Sequence, residues 1–226
     1  MAFARSRDFS GENAGGDRRV NKFAKLFFGV FALFGASWLG FVAYPYITFA
    51  GLQPNKDPNT GAVAPQGNPG TADQGARVFA ANGCVYCHTQ FVRDRNEGSD
   101  IERGWGERRT VARDYMFDRQ VFLGNARLGA DLTNVGVRQS DPQWYYRLLY
   151  DPQSLHPASV MPSFRYLFRE QRVLGQISAD ALKLNGPGAP PDGYEIVPTE
   201  DGKAIVAYLL SLKRNYALPE APKPAE

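Results

Sequence analysis

The chain has 226 residues, with 26 Lys and Arg against 23 Asp and Glu, two Cys and two His. Arg5, Arg7, Arg18, Arg19, Lys22 and Lys25 outnumber Asp8, Glu12 and Asp17 within residues 1–25, so the whole net charge of +3 sits at the N-terminus. The folded part is left without the basic face that nucleic-acid binding needs. Two cysteines exclude a disulfide-rich scaffold. A tetrahedral zinc site would need both Cys and both His, yet Cys87 and His88 are adjacent, without the spacing zinc ligands require.

In chain order, residues 1–21 are polar, of mixed charge, with paired glycines, and are expected to lack ordered structure on the cytoplasmic side. From Leu26 to Ala50 there is no charged residue. As a helix those residues reach about 37 Å, enough for a hydrocarbon layer of about 30 Å. A cleaved signal peptide would have a shorter apolar core and a small-residue cleavage site. This segment instead ends in Tyr44-Pro45-Tyr46, so residues 22–50 are predicted as an uncleaved single-pass anchor. The basic residues before it place the N-terminus in the cytoplasm and the rest outside the inner membrane. Gly29, Gly35, Ala36 and Gly40 would let another helix approach closely.

Residues 51–70, with four prolines and four glycines, read as a linker. A folded domain is expected over 71–213. Its predicted helices are 72–82, entered at Thr71 and stopped by Gly83; 142–150, capped by Asp141 with Pro142 in the first position; and 200–213, capped by Thr199. Residues 185–198, rich in Pro and Gly, read as a surface loop, and 214–226 as a flexible tail. No strand-rich stretch is evident, so the fold class is all-α.

The chemistry is concentrated in Cys84-Val85-Tyr86-Cys87-His88. Two thiols three positions apart can each bond a vinyl group on one edge of a haem, and the next residue then offers its imidazole to the iron. One covalent haem c is expected, with Cys84 and Cys87 as thioether donors and His88 as axial ligand. A thioredoxin-like pair would need a strand–helix setting that is absent here. Haem is attached to such motifs outside the cytoplasm, in agreement with the charge bias across the anchor. The sixth ligand could come from Met116, Met161 or His156. Pro162 stiffens the loop at Met161 and favours it; His156 competes. The other ring nitrogen of His88 needs an acceptor, for which a carbonyl of 129–132 is expected. Arg93, Arg127 and Trp144 are candidate partners for the haem propionates.

These residues resemble a known family. The runs Cys87-His88-Thr89-Gln90-Phe91-Val92-Arg93, Arg127-Leu128-Gly129-Ala130-Asp131-Leu132 with Val135, Gly136 and Arg138, and Val160-Met161-Pro162-Ser163-Phe164 are similar to the monohaem subunit of cbb3-type cytochrome oxidase. The resemblance spans about residues 22–170 and departs from class I cytochromes c at Ala130, where proline is usual. It implies a class I cytochrome c-like helical domain, His88/Met161 ligation, and Ala130 in the haem pocket. It also implies electron relay to a catalytic haem–copper subunit, with other c-type cytochromes as further partners. A free-standing tethered electron shuttle is the alternative. A haem peroxidase ranks last, because no carboxylate or base is placed by sequence to assist such chemistry.

Overall fold

The computed structural model describes residues 16–57, 60–184 and 186–223. The chain divides into two compact units at Leu52/Gln53. The first begins with helix α1 (Gly16–Trp38), so the helix starts inside the stretch expected to be unstructured; residues 1–15 of that stretch lie outside the described residues. A π-helical turn follows at Leu39–Ala43, then α2 (Tyr44–Phe49). There the Tyr44 N–H closes a wider ring onto the Leu39 carbonyl, directly before Pro45, which has no N–H to give to the carbonyl four residues back. The apolar run Lys22–Phe49 is continuous and 28 residues long, the one helix among the described residues long and apolar enough to cross a membrane.

The second unit opens with a short antiparallel pair, β1 (Asn55–Lys56) and β2 (Val63–Ala64). The expected linker is thus partly ordered: Pro65 is buried and Asn68 accepts a hydrogen bond from Ser211 Oγ at 3.2 Å. Helix α3 (Gly70–Ala81) ends at Gly83, which adopts the left-handed conformation at φ 68° that stops a helix. Its N-cap is Pro69 rather than Thr71. Next come α4 (Val135–Arg138), α5 (Pro142–Tyr150) and α6 (Pro152–Leu155). Asp141 caps α5 by accepting from the Gln143 N–H at 2.9 Å, as its sequence position predicts. Strands β3 (Phe168–Arg172) and β4 (Tyr194–Pro198) precede α7 (Glu200–Ser211), whose cap is Thr199.

The core forms where α3 meets α7. A Cβ on Gly75 would lie 1.9 Å from the Ala204 carbonyl oxygen, so the two backbones touch there and only glycine fits. Phe79 packs edge-on against Tyr208 at 5.5 Å, and Phe122 closes the cluster. Helix α4 leans on the end of α7 in the same manner, with Gly136 against the Leu210 carbonyl.

Two expectations need correction. The fold is mostly helical but not all-α, since β3 and β4 pair antiparallel from Phe168↔Pro198 to Arg172↔Tyr194. The last five residues of the expected 185–198 loop are therefore strand. Glu195, Ile196 and Val197 are all buried, because residues 178–182 cover the face of β4 that an ordinary surface hairpin would expose. Glu195 anchors that cover by accepting from the Ser178 N–H and hydroxyl and from Gln171, bonds that hold its carboxyl below the usual range. The tail is also packed as far as it is described. Arg214 pairs with Asp118 at 2.5 Å, Leu218 is buried, and Glu220 meets Arg113 at 2.6 Å. Residues 224–226 lie outside the described residues.

Candidate haem site

Beyond Gly83 the chain makes one 3₁₀ turn, Cys84–Tyr86, and the His88 N–H closes it onto the Cys84 carbonyl at 3.0 Å. The turn brings Cys84, Cys87 and His88 to one wall of a cavity of about 640 Å³. Phe79 from α3, Trp144 and Leu149 from α5, and Ile205 and Leu209 from α7 make the rest of the wall largely apolar. Met161 lies in the same lining, on a loop clasped by Gln153, whose amide donates to the Ser159 and Met161 carbonyls at 3.0 Å each.

Segment 129–132 runs alongside 87–89. The Gly129 N–H bonds the Cys87 carbonyl at 2.9 Å and the Leu132 N–H the Thr89 carbonyl at 2.7 Å. Between these rungs the Ala130 carbonyl meets His88 Nδ1 at 2.7 Å. A carbonyl only accepts, so Nδ1 carries the hydrogen, and in the neutral ring the Nε2 lone pair is free. Burial lowers the His88 pKa, against the pull of the Ala130 carbonyl and the Asp131 charge, and so favours that neutral ring. Gly129 leaves the space the imidazole fills, since a Cβ there would sit 2.2 Å from His88 Cε1. Burial also pushes the Cys84 thiol up to about 11, which keeps it protonated at neutral pH.

The other sequence candidates divide. Trp144 and Ala130 line the cavity. His156 lines it too but is exposed, whereas Met161 packs against the buried core; Met116 is not in the lining. Arg93 and Arg127 are not in the lining either. Both are held by the buried Asp100, Arg93 at 2.9 Å, and Arg127 also donates to the Phe91 carbonyl. Burial works to raise the Asp100 carboxyl, but bonds from Arg93 and Arg127 prevail and hold it well below the usual carboxylate range. Among the described residues, Arg138 is the one Lys or Arg in the cavity lining, and no Asp or Glu joins it. Its guanidinium is aimed by the carbonyls of Trp105 and Asp131. Sequence reasoning gave Arg138 no role, although it ends a four-residue helix beside the Ala130 loop.

The donors fit a haem: two thiols on one turn, a pre-oriented imidazole, a thioether in the same lining, apolar walls and one cation. A model of the family described as cytochrome c oxidase, mono-heme subunit/FixO matches residues 70–201. The chain belongs to this family. The matched span of the FixO-family chain runs from the start of α3 into α7 and so includes the motif turn, the cavity lining except Ile205 and Leu209, and the β3–β4 pair. It is a haem-containing family of a membrane oxidase, and the apolar N-terminal helix is consistent with that setting. No curated protein matches the chain.

Proposed function

We propose that this FixO-family chain carries a single covalent haem c and relays single electrons to the catalytic haem–copper subunit of its oxidase, receiving them from other c-type cytochromes. Residues 22–50 form the single-pass anchor, with the N-terminus cytoplasmic and the haem domain outside the inner membrane. The observation that carries the reading is the gathering of Cys84, Cys87, His88 and Met161 on one apolar cavity.

Each residue has a distinct task. Cys84 and Cys87 would hold one edge of the haem as thioethers to its two vinyl groups, each thiol hydrogen going to the other carbon of the vinyl it joins. His88 offers Nε2 with its ring orientation fixed by Ala130. Met161 offers its thioether from the Gln153 clasp, and a thioether favours reduced iron more than a second imidazole does. Arg138 is the cation placed for a propionate, whereas Arg93 and Arg127 are engaged by Asp100 outside the cavity lining. Phe79, Leu149, Ile205 and Leu209 keep water out, so little around the site must reorganise when charge changes. The bound group supplies reversible one-electron chemistry. Leu128 and Val160, exposed at the cavity lining, offer an apolar contact for a partner.

Purification in mild detergent tests the proposal. The chain should co-migrate with a large multi-span subunit carrying haem and copper, through salt concentrations that disperse weak encounters. Recovery of the haem-loaded chain alone, even at low salt, would favour the free-standing shuttle instead.

A further inference from the structure

Asp131 lies one residue beyond the carbonyl that holds His88, and it is completely buried. Its carboxylate accepts three hydrogen bonds: from the Thr89 hydroxyl at 2.6 Å, the Phe91 N–H at 2.8 Å and the Thr133 N–H at 2.8 Å. Its own carbonyl accepts from Arg138. No ion pair to Asp131 occurs among the described residues; every hydrogen bond to its carboxylate comes from a neutral donor, and the Arg138 charge acts on it only through space. That arrangement costs free energy which an apolar or amide side chain would not incur.

The geometry shows what the bonds achieve. Thr89 and Phe91 lie one and three residues after His88, and Thr133 lies three after Ala130. One carboxylate therefore ties the segment that follows the imidazole to the segment that carries its acceptor. With the backbone bonds Gly129–Cys87 and Leu132–Thr89 on either side, Ala130 is left little freedom to withdraw from Nδ1.

We propose that Asp131 is a positioning residue, which fixes the Ala130 carbonyl on His88 and thereby sets the electron donation of the axial imidazole. The inference rests on the haem reading above. A firmly accepted Nδ1–H makes the imidazole a stronger donor, and a nearby negative charge favours the more positive, oxidised iron. Both effects lower the reduction potential, so loosening Asp131 raises it.

The test uses the full-length, haem-loaded chain in detergent. Asp131→Asn keeps the volume but turns one acceptor edge into a donor, which cannot serve all three partners. Thr89→Val removes one bond and leaves the carboxylate in place; Thr89→Ser restores it. Covalent haem content is measured first, then solvent exchange of the His88 Nδ1–H by proton NMR, then the potential. Asp131→Asn is expected to speed exchange at least tenfold and shift the reduced-to-oxidised ratio at fixed potential about tenfold towards reduced, roughly 59 mV for one electron. Thr89→Val should move both quantities less and in the same direction, with Thr89→Ser returning to wild type. Should Asp131→Asn fail to accumulate, the threonine pair decides alone. Full haem content with unchanged exchange and potential in the testable variants would overturn the role of Asp131. A wild-type chain that takes up no haem would overturn the haem reading itself.

Discussion

Replacing Gly75 by alanine probes the contact on which the cavity depends. The added Cβ would fall 1.9 Å from the Ala204 oxygen and 2.5 Å from its carbonyl carbon, both backbone atoms that no rotamer change can move. Ordinary contact needs roughly 3.4 Å or more, so α3 and α7 must part by about 1.5 Å. Forced separation of a packed core costs about 1–3 kcal/mol, occasionally more, and a backbone clash of this depth belongs at the upper end. Alanine recovers about 1 kcal/mol of helix propensity. The balance is a loss of about 2 kcal/mol, or about 4–8 °C in Tm for a unit of this size. Because Phe79 on α3 and Ile205 and Leu209 on α7 line the cavity, the haem should also become more accessible to water. Thermal and guanidinium unfolding of the haem-loaded chain, followed by Soret absorbance and far-UV circular dichroism, measures both effects. Gly70→Ala is the control: its Cβ meets nothing within 4 Å, so its stability should match or slightly exceed wild type. A Gly75→Ala variant as stable as that control would refute the close crossing of α3 and α7.

Three further outcomes are expected. Met161→Ala should open the sixth coordination position, so that the reduced protein binds carbon monoxide and its potential falls, whereas His156→Ala changes neither; the reverse pattern would make His156 the ligand. Cys84→Ser and Cys87→Ser together should abolish haem staining of the denatured chain, and a stain that persists would refute thioether attachment. Asp100, whose folded-state pKa is depressed by Arg93 and Arg127, contributes stability that is complete above its unfolded value of about 4 and is lost as the pH falls towards the folded value. The stability advantage of wild type over Asp100→Asn in urea should therefore be flat from pH 5 to 7 and shrink below pH 4; an advantage that grew on acidification would contradict the pairing.

Much of the site is legible in the sequence because its chemistry is local. The placing of Cys84, Cys87 and His88 on one cavity wall follows from their spacing along a single turn, and an apolar run such as Leu26–Ala50 needs no partner to be recognised. Helices α3, α5 and α7 were readable for the same reason, since Gly83, Asp141 and Thr199 act within four residues of themselves. Other features rest on partners far along the chain. Strand β4 has four consecutive buried residues and no alternation, because residues 178–182 fold over it, and its pattern looks like a loop until that cover is in place. The 214–223 segment is polar and proline-rich, and it is ordered by Asp118, Arg113 and Arg108 from about a hundred residues earlier. Arg93, Arg127 and Arg138 carry the same guanidinium in the sequence, but only the tertiary position of Asp100 turns two of them from the cavity and leaves the third facing it. Spacing along the chain determined that two thiols and an imidazole share one turn; the long-range pairing of charges and close helix contacts decided which residues surround them, because those energies exist only once distant segments meet.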